Sequence, residues 1–126
     1  MFVLKKVENG RINVAEPEYY PVGTTDITQG EALVLSSGKL VACGSTAKPS
    51  FIAVRDADGG SASVPVFPVT PEQIYEADAS TSLTEAVVGT KVTLASGSTS
   101  VTATTTNGVA TLLQVISSLK ALVKFE

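Results

Sequence analysis

Apolar residues along this chain stand in short runs of strand length, and turn residues break the pattern throughout. Met1–Val7 reads as a first strand that ends at the turn pair Asn9-Gly10. Residues 11–18 continue extended, with Pro17 and Pro21 confining any pairing to an edge or a strand end. Tyr19, Tyr20 and Val22 lead into the polar loop Gly23-Thr24-Thr25-Asp26, and a strand broken at Gly30 then runs from Ile27 to Leu35. Ser36-Ser37-Gly38-Lys39 predicts a tight hairpin, Gly38 supplying the positive φ, and Leu40–Cys43 returns from it. Phe51-Ile52-Ala53-Val54 is a continuous apolar run, which predicts a central strand buried on both faces. Ser63–Val69 alternates, but Pro65 and Pro68 put it at an edge or a bulge.

The second half reads the same way. Pro71–Ala77 has the signals of a helix start, Thr70 as cap and Pro71 at the first position, but it is short. A turn followed by a strand over Ile74–Ala77 is the preferred reading. Lys91–Leu94 and Ser100–Thr105 alternate cleanly, and Thr106-Asn107-Gly108 is the strongest hairpin signal in the chain. Val109–Val115 and Leu119–Phe125 close the pattern as strands across a bend at Ser117 and Ser118; a short helix over Ile116–Leu122 is the alternative.

Nine or ten short strands with turns at regular spacing predict an all-β fold, a small β-barrel or a two-sheet β-sandwich. Val, Ile and Thr number 37 of 126 residues, which suits pleated surfaces with threonine hydroxyls paired across a ladder. The length suits one core and argues against two. The expected division is an extended segment over residues 1–21 and one β domain over 22–126, with no linker inside it. Leu33, Leu35, Val41, Phe51, Ala53, Val66, Ile74, Val92, Leu94, Val109 and Val123 are the predicted core.

Charge and chemistry narrow the function classes. The net charge is −3, against a nucleic-acid partner, whose phosphates need clustered Lys and Arg. The sequence has no His, which removes the commonest general base and metal ligand. Cys43, the sole cysteine, lies in an apolar run and reads as a small buried hydrophobe. Arg55-Asp56-Ala57-Asp58-Gly59 alternates carboxylates as a calcium loop does, but the distal acid such a loop needs is replaced by Val66, Phe67 and Pro68. It reads as a solvated turn that binds no metal. Gly59-Gly60 lacks the lysine of a phosphate loop, and the Ser-x-x-Lys spacings at Ser45–Lys48 and Ser117–Lys120 lack a second lysine. No catalytic residue and no cofactor is expected. Lys5 and Lys6 follow a very short apolar start, unlike a signal peptide, and no run nears the roughly 20 apolar residues of a membrane helix. The cytoplasm, or a particle assembled there, is the expected location, with no membrane partner.

The order of segments carries a resemblance. Ile27-Thr28-Gln29-Gly30-Glu31-Ala32-Leu33, the Gly38-Lys39-Leu40-Val41 hairpin and Phe51-Ile52-Ala53-Val54 resemble the N-terminal half of tailed-bacteriophage head decoration, or capsid cement, proteins. Val64–Glu76, Val88–Leu94, Asn107–Thr111 and Ala121–Phe125 extend the likeness over residues 19–126. The resemblance implies a non-catalytic, β-barrel-like subunit of the virion that binds the major capsid protein outside the assembled head. It also implies homotrimers and an N-terminal arm reaching over neighbours. Candidate partner contacts are Phe2, Val3, Leu4, Ile12 and Val14 in the extended apolar segment, with Tyr19 and Tyr20 as core or interface anchors. Residues 1–21 have two readings, an intermolecular arm or a first strand of the protein's own fold. The arm reading predicts that a chain lacking residues 1–18 folds but no longer occupies capsids, or becomes monomeric. A receptor- or glycan-binding β domain of a tail fibre or cell surface is the competing function class, and an enzyme is the third.

Overall fold

The computed structural model describes residues 1–7 and 17–126. Among these described residues eleven strands run in chain order: β1 (Phe2–Val7), β2 (Glu18–Tyr20), β3 (Ala32–Ser36), β4 (Lys39–Ala42), β5 (Phe51–Ala53), β6 (Val64–Pro68), β7 (Gln73–Ala79), β8 (Lys91–Val92), β9 (Ser100–Val101), β10 (Ala110–Ser117) and β11 (Lys120–Lys124). Among the described residues the helical content is one 3₁₀ turn at Glu85–Val87. Sheet 1 has the order β1-β7-β11-β10-β8, with β9 running parallel to the end of β7, and sheet 2 has the order β2-β6-β5-β3-β4. The fold is thus an all-β sandwich of two largely antiparallel sheets, and the closed-barrel alternative does not hold. Both segments with a helical alternative are strands, since β7 covers Gln73–Ala79 and a β10–β11 hairpin covers Ile116–Leu122.

Burial falls into two clusters, where the chain length suggested one core. The first holds Phe2, Ile52, Tyr75, Leu94, Leu112, Val123 and Phe125; the second holds Val22, Ile27, Leu33, Leu40, Phe51, Val64 and Val66. Strand β5 joins them: Ile52 faces the first cluster, while Phe51 and Ala53 face the second. That is the two-faced burial expected of a continuous apolar run. Each fully buried side chain of this size contributes about 1.5–3 kcal/mol. Eight of the predicted core residues are buried: Leu33, Phe51, Ala53, Val66, Ile74, Val92, Leu94 and Val123. Val41 and Val109 are half-buried, and Leu35 is 40 % exposed. The correction at Leu35 has a simple cause. β5 pairs with β3 only at Ala32 and Leu33, so no strand flanks Leu35 on the side away from β4. Its partner Leu40 is flanked by a bridge to Val22 and is buried instead.

The hairpin at 36–39 forms as predicted, with φ of 51° at Ser37 and 79° at Gly38. The Asn107-Gly108 turn also forms, Asn107 having φ of 58°, but the segments it joins do not make the expected hairpin. Thr93 bonds to Thr102 and Thr104, while Val92 accepts from Val109. Adjacent residues of a strand turn their backbone groups to opposite sides. The segments before and after the turn therefore lie on either side of the β8 segment and do not pair with each other. The regular strand ends at Val101, although the Thr93 and Thr102 hydroxyls do meet across the ladder, at 2.7 Å.

A turn at Thr28–Glu31 ties the sheets together. Gly30 accepts from the Phe2 N–H at 2.9 Å and donates to Ala53 at 2.9 Å, and Ala32 donates to Ser98 at 2.7 Å. Glu31, 6 % exposed, closes the turn by accepting from the Thr28 N–H at 3.1 Å. Burial holds its carboxyl above the ordinary value, opposed by that hydrogen bond. A carboxyl raised in the folded state contributes its stability fully below the unfolded pKa and loses it as pH rises through the folded one. Glu31→Gln keeps the acceptor and removes the charge. Its Tm at neutral pH should exceed the parent's, with a flatter dependence between about pH 4 and 7; a parallel curve at or below the parent's would contradict this.

Candidate functional site

The five candidate contacts among the described residues are dispersed. Phe2 is 2 % exposed and packs edge-on against Phe125, with ring centroids 5.3 Å apart. It belongs to the core and is not available to a partner. Its strand, β1, pairs with β7 from Phe2↔Ala77 to Val7↔Gln73, so the described part of the N-terminal segment is a strand of the protein's own sheet. That is the second of the two readings of this segment, and its outcome for truncation is the opposite of the arm's. Removing residues 1–7 uncovers Tyr75 and Phe125, and the truncated chain should lose its cooperative thermal transition; a sharp transition near the parent's Tm would disprove it. Val3 and Leu4 are half-buried. Ile12 and Val14 lie outside the described residues. Tyr20 is held in place, its ring 4.9 Å from Phe51 and its hydroxyl donating to Glu18 Oε2 at 2.9 Å. That hydrogen bond pushes the phenol pKa up. Tyr19 points the other way and is 63 % exposed.

Register shows what Tyr19 is part of. It pairs with Pro65, Phe67 pairs with Ile52, and the Val54 N–H donates to Pro65 at 3.2 Å. Side chains alternate along strands, so Tyr19, Pro65, Phe67, Ile52 and Val54 share one face of sheet 2. Ile52 is covered by sheet 1; Val54, Pro65 and Phe67 are half-buried. Between them and β1 lies a groove of about 190 Å³, lined in part by Leu4, Gly30, Ile52, Val54 and Phe67. The sequence reading placed Phe67 at an edge and missed this face, because the alternation shows a face's residues but not where the covering sheet stops. A second apolar exposure sits at the tip of the β10–β11 hairpin, where Ile116 is 50 % and Leu119 51 % exposed.

Several charged groups have structural partners. Asp26 Oδ1 accepts from the Gly59 N–H at 2.8 Å and Asp56 Oδ1 from the Gln29 N–H at 2.7 Å, which knits the 26–29 and 55–61 loops around an open polar groove of about 420 Å³. Among the described residues, no group of three His, Cys, Asp or Glu side chains is placed to hold a metal ion. On the outer face of sheet 1, Glu76 bridges Lys5 and Lys120, each at 3.2 Å, and these lysines hold its carboxyl below the ordinary value. Exposed pairs of this kind contribute little to stability. The Cys43 thiol is buried and donates to the Ala47 carbonyl at 2.9 Å. Burial pushes its pKa up to about 11. The thiolate is the reactive form, so a thiol reagent at neutral pH should label Cys43 only as fast as the protein opens; immediate labelling of the folded chain would contradict its buried position. Tyr75, fully buried, donates from its hydroxyl to Gln73 Oε1 at 2.7 Å, and the same oxygen accepts from the Thr70 N–H at 3.0 Å.

No helix of the described residues is long and apolar enough to cross a membrane. No protein-family model and no curated protein matches the chain.

Proposed function

We propose that this protein is a non-catalytic binding module of a phage virion, a decoration or cement subunit that attaches to the major capsid protein on the outside of the assembled head. The observation that carries the reading is the order of β segments across residues 19–126, which resembles that of head decoration proteins. The all-β sandwich is compatible with it. The apolar face that runs from Val54 and Phe67 to Tyr19 favours a protein partner over a small polar ligand, since such faces occur where another protein docks. Homotrimers remain part of the proposal, because three weak contacts on a symmetric site gain avidity when all engage.

The deciding experiment incubates purified protein with heads that lack it and images the particles. Density at repeated surface positions is the expected result. Bare heads, with thermal stabilisation by a component of a glycan array, would replace this reading with a glycan-binding one. Sedimentation of the free protein separately tests the trimer.

A further inference from the structure

Among the described residues sheet 1 ends at β1, and the facing surface of sheet 2 does not. Packed sheets lie about 10 Å apart and neighbouring strands about 4.8 Å apart. One more strand beside β1 would therefore lie over Val54 and Phe67. The first position beside β1 is already filled by the protein itself, where Gly30 accepts from the Phe2 N–H at 2.9 Å. Backbone groups alternate sides along an antiparallel pair, so Leu4, two residues on, also turns its N–H and C=O away from β7. Among the described residues no backbone partner outside the sheet ladder meets them. Leu4 lines the groove that Ile52, Val54 and Phe67 also line. The outward N–H and C=O of Leu4 beside an apolar floor suit a ligand that offers a C=O and an N–H at strand spacing, which is an extended polypeptide.

We infer that the β1 edge and this groove take an extended apolar segment of a partner protein by strand addition. The segment's backbone pairs with that of Leu4, and every second side chain lies over Val54 and Phe67. A second copy's β1 is a poor occupant, because it brings two Lys5-Lys6 pairs into one short ladder, where like charges repel. The same lysines favour a segment with an acidic residue at that end, opposite the exposed Lys6. The inference holds for any protein partner and is independent of the capsid assignment.

A capped heptapeptide, Glu-Val-Thr-Val-Thr-Val-Thr, is a suitable probe, titrated into the isotope-labelled full chain and followed by NMR. Shifts should concentrate at Leu4, Lys6, Val54 and Phe67. Methylating alternate backbone nitrogens of the peptide should weaken binding about tenfold or more, as should Val54→Asp in a chain whose Tm is unchanged. The methylated peptide requires no variant, so a Val54→Asp chain that fails to fold leaves the test standing. Equal affinity for both peptides, shifts centred elsewhere, or no binding at peptide concentrations on the order of 1 mM would overturn the inference. It would fall equally if the probe bound only after residues 8–16 were replaced by a Gly-Ser linker, because the chain itself would then cover the groove.

Discussion

Phe125→Ala should remove about 3–5 kcal/mol of stability, the range for deleting a buried aromatic ring. Phe125 is the penultimate residue of the chain and is fully buried. Its ring meets Phe2 at 5.3 Å and Tyr75 at 5.6 Å, so it locks β1 and β7 to the end of β11. Aromatic pairs of this geometry add about 0.5–1.5 kcal/mol to simple area burial. A domain of this size has roughly 5–15 kcal/mol in total, so the variant would be marginal, with Tm lower by roughly 10–20 °C. Leu119→Ala is the matched control, since Leu119 is 51 % exposed at a hairpin tip and its loss should change stability by about 0.5 kcal/mol or less. Similar Tm values for the two variants would remove Phe125 from the core.

Gly108→Ala should be nearly as damaging, at about 2–4 kcal/mol. A Cβ at this position would sit 2.0 Å from the Lys91 carbonyl oxygen and 2.7 Å from the Val92 nitrogen. Both are backbone atoms of the β8 segment, and neither can swing aside. Gly38 separates this effect from ordinary turn preference. It has φ of +79°, and a Cβ there would meet no atom within 4 Å. Gly38→Ala should therefore cost only the left-handed penalty of about 1–2 kcal/mol. Urea denaturation of both variants checks the order. If Gly38→Ala proved the worse of the two, close approach to β8 would not be the reason for the glycine at 108.

These positions show what could be read from the residues and what could not. The hairpin at Ser37-Gly38 was legible because its turn is local: two residues with positive φ fix both flanking strands. Asn107-Gly108 carries the same local signal, yet the segments that flank it do not pair with each other. Whether two segments pair with each other or flank a third depends on residues 91–95, which are distant in sequence. Leu35 and Leu40 face each other in register with nearly the same local pattern. Only the bridge from Val22 decides which is buried, and no alternation rule reports such a bridge. The second core was hidden for a related reason: Val22, Ile27 and Ala57 lie in loops, where apolar residues look incidental until the chain is seen to fold them over Leu33 and Phe51. For the candidate contacts, composition identified Phe2, Val3 and Leu4 as apolar and extended. It could not distinguish a strand that buries one face at home from one offered to a neighbour, since both have the same pattern.

The strand order has a consequence for the protein's birth on the ribosome. Sheet 2 is built entirely from β2–β6, a continuous stretch, whereas sheet 1 takes β1 from the start of the chain and every other strand from residue 73 onward. At synthesis rates of roughly 5–20 residues per second, β1 emerges several seconds before β7 exists to receive it. Sheet 2 can assemble in that interval, and the Thr28–Glu31 turn then presents Gly30 as the first partner for Phe2. Nascent-chain lengths that end before β7 should therefore contain an ordered second cluster and an unclaimed β1, its lysines keeping it from joining the same strand on an adjacent nascent chain.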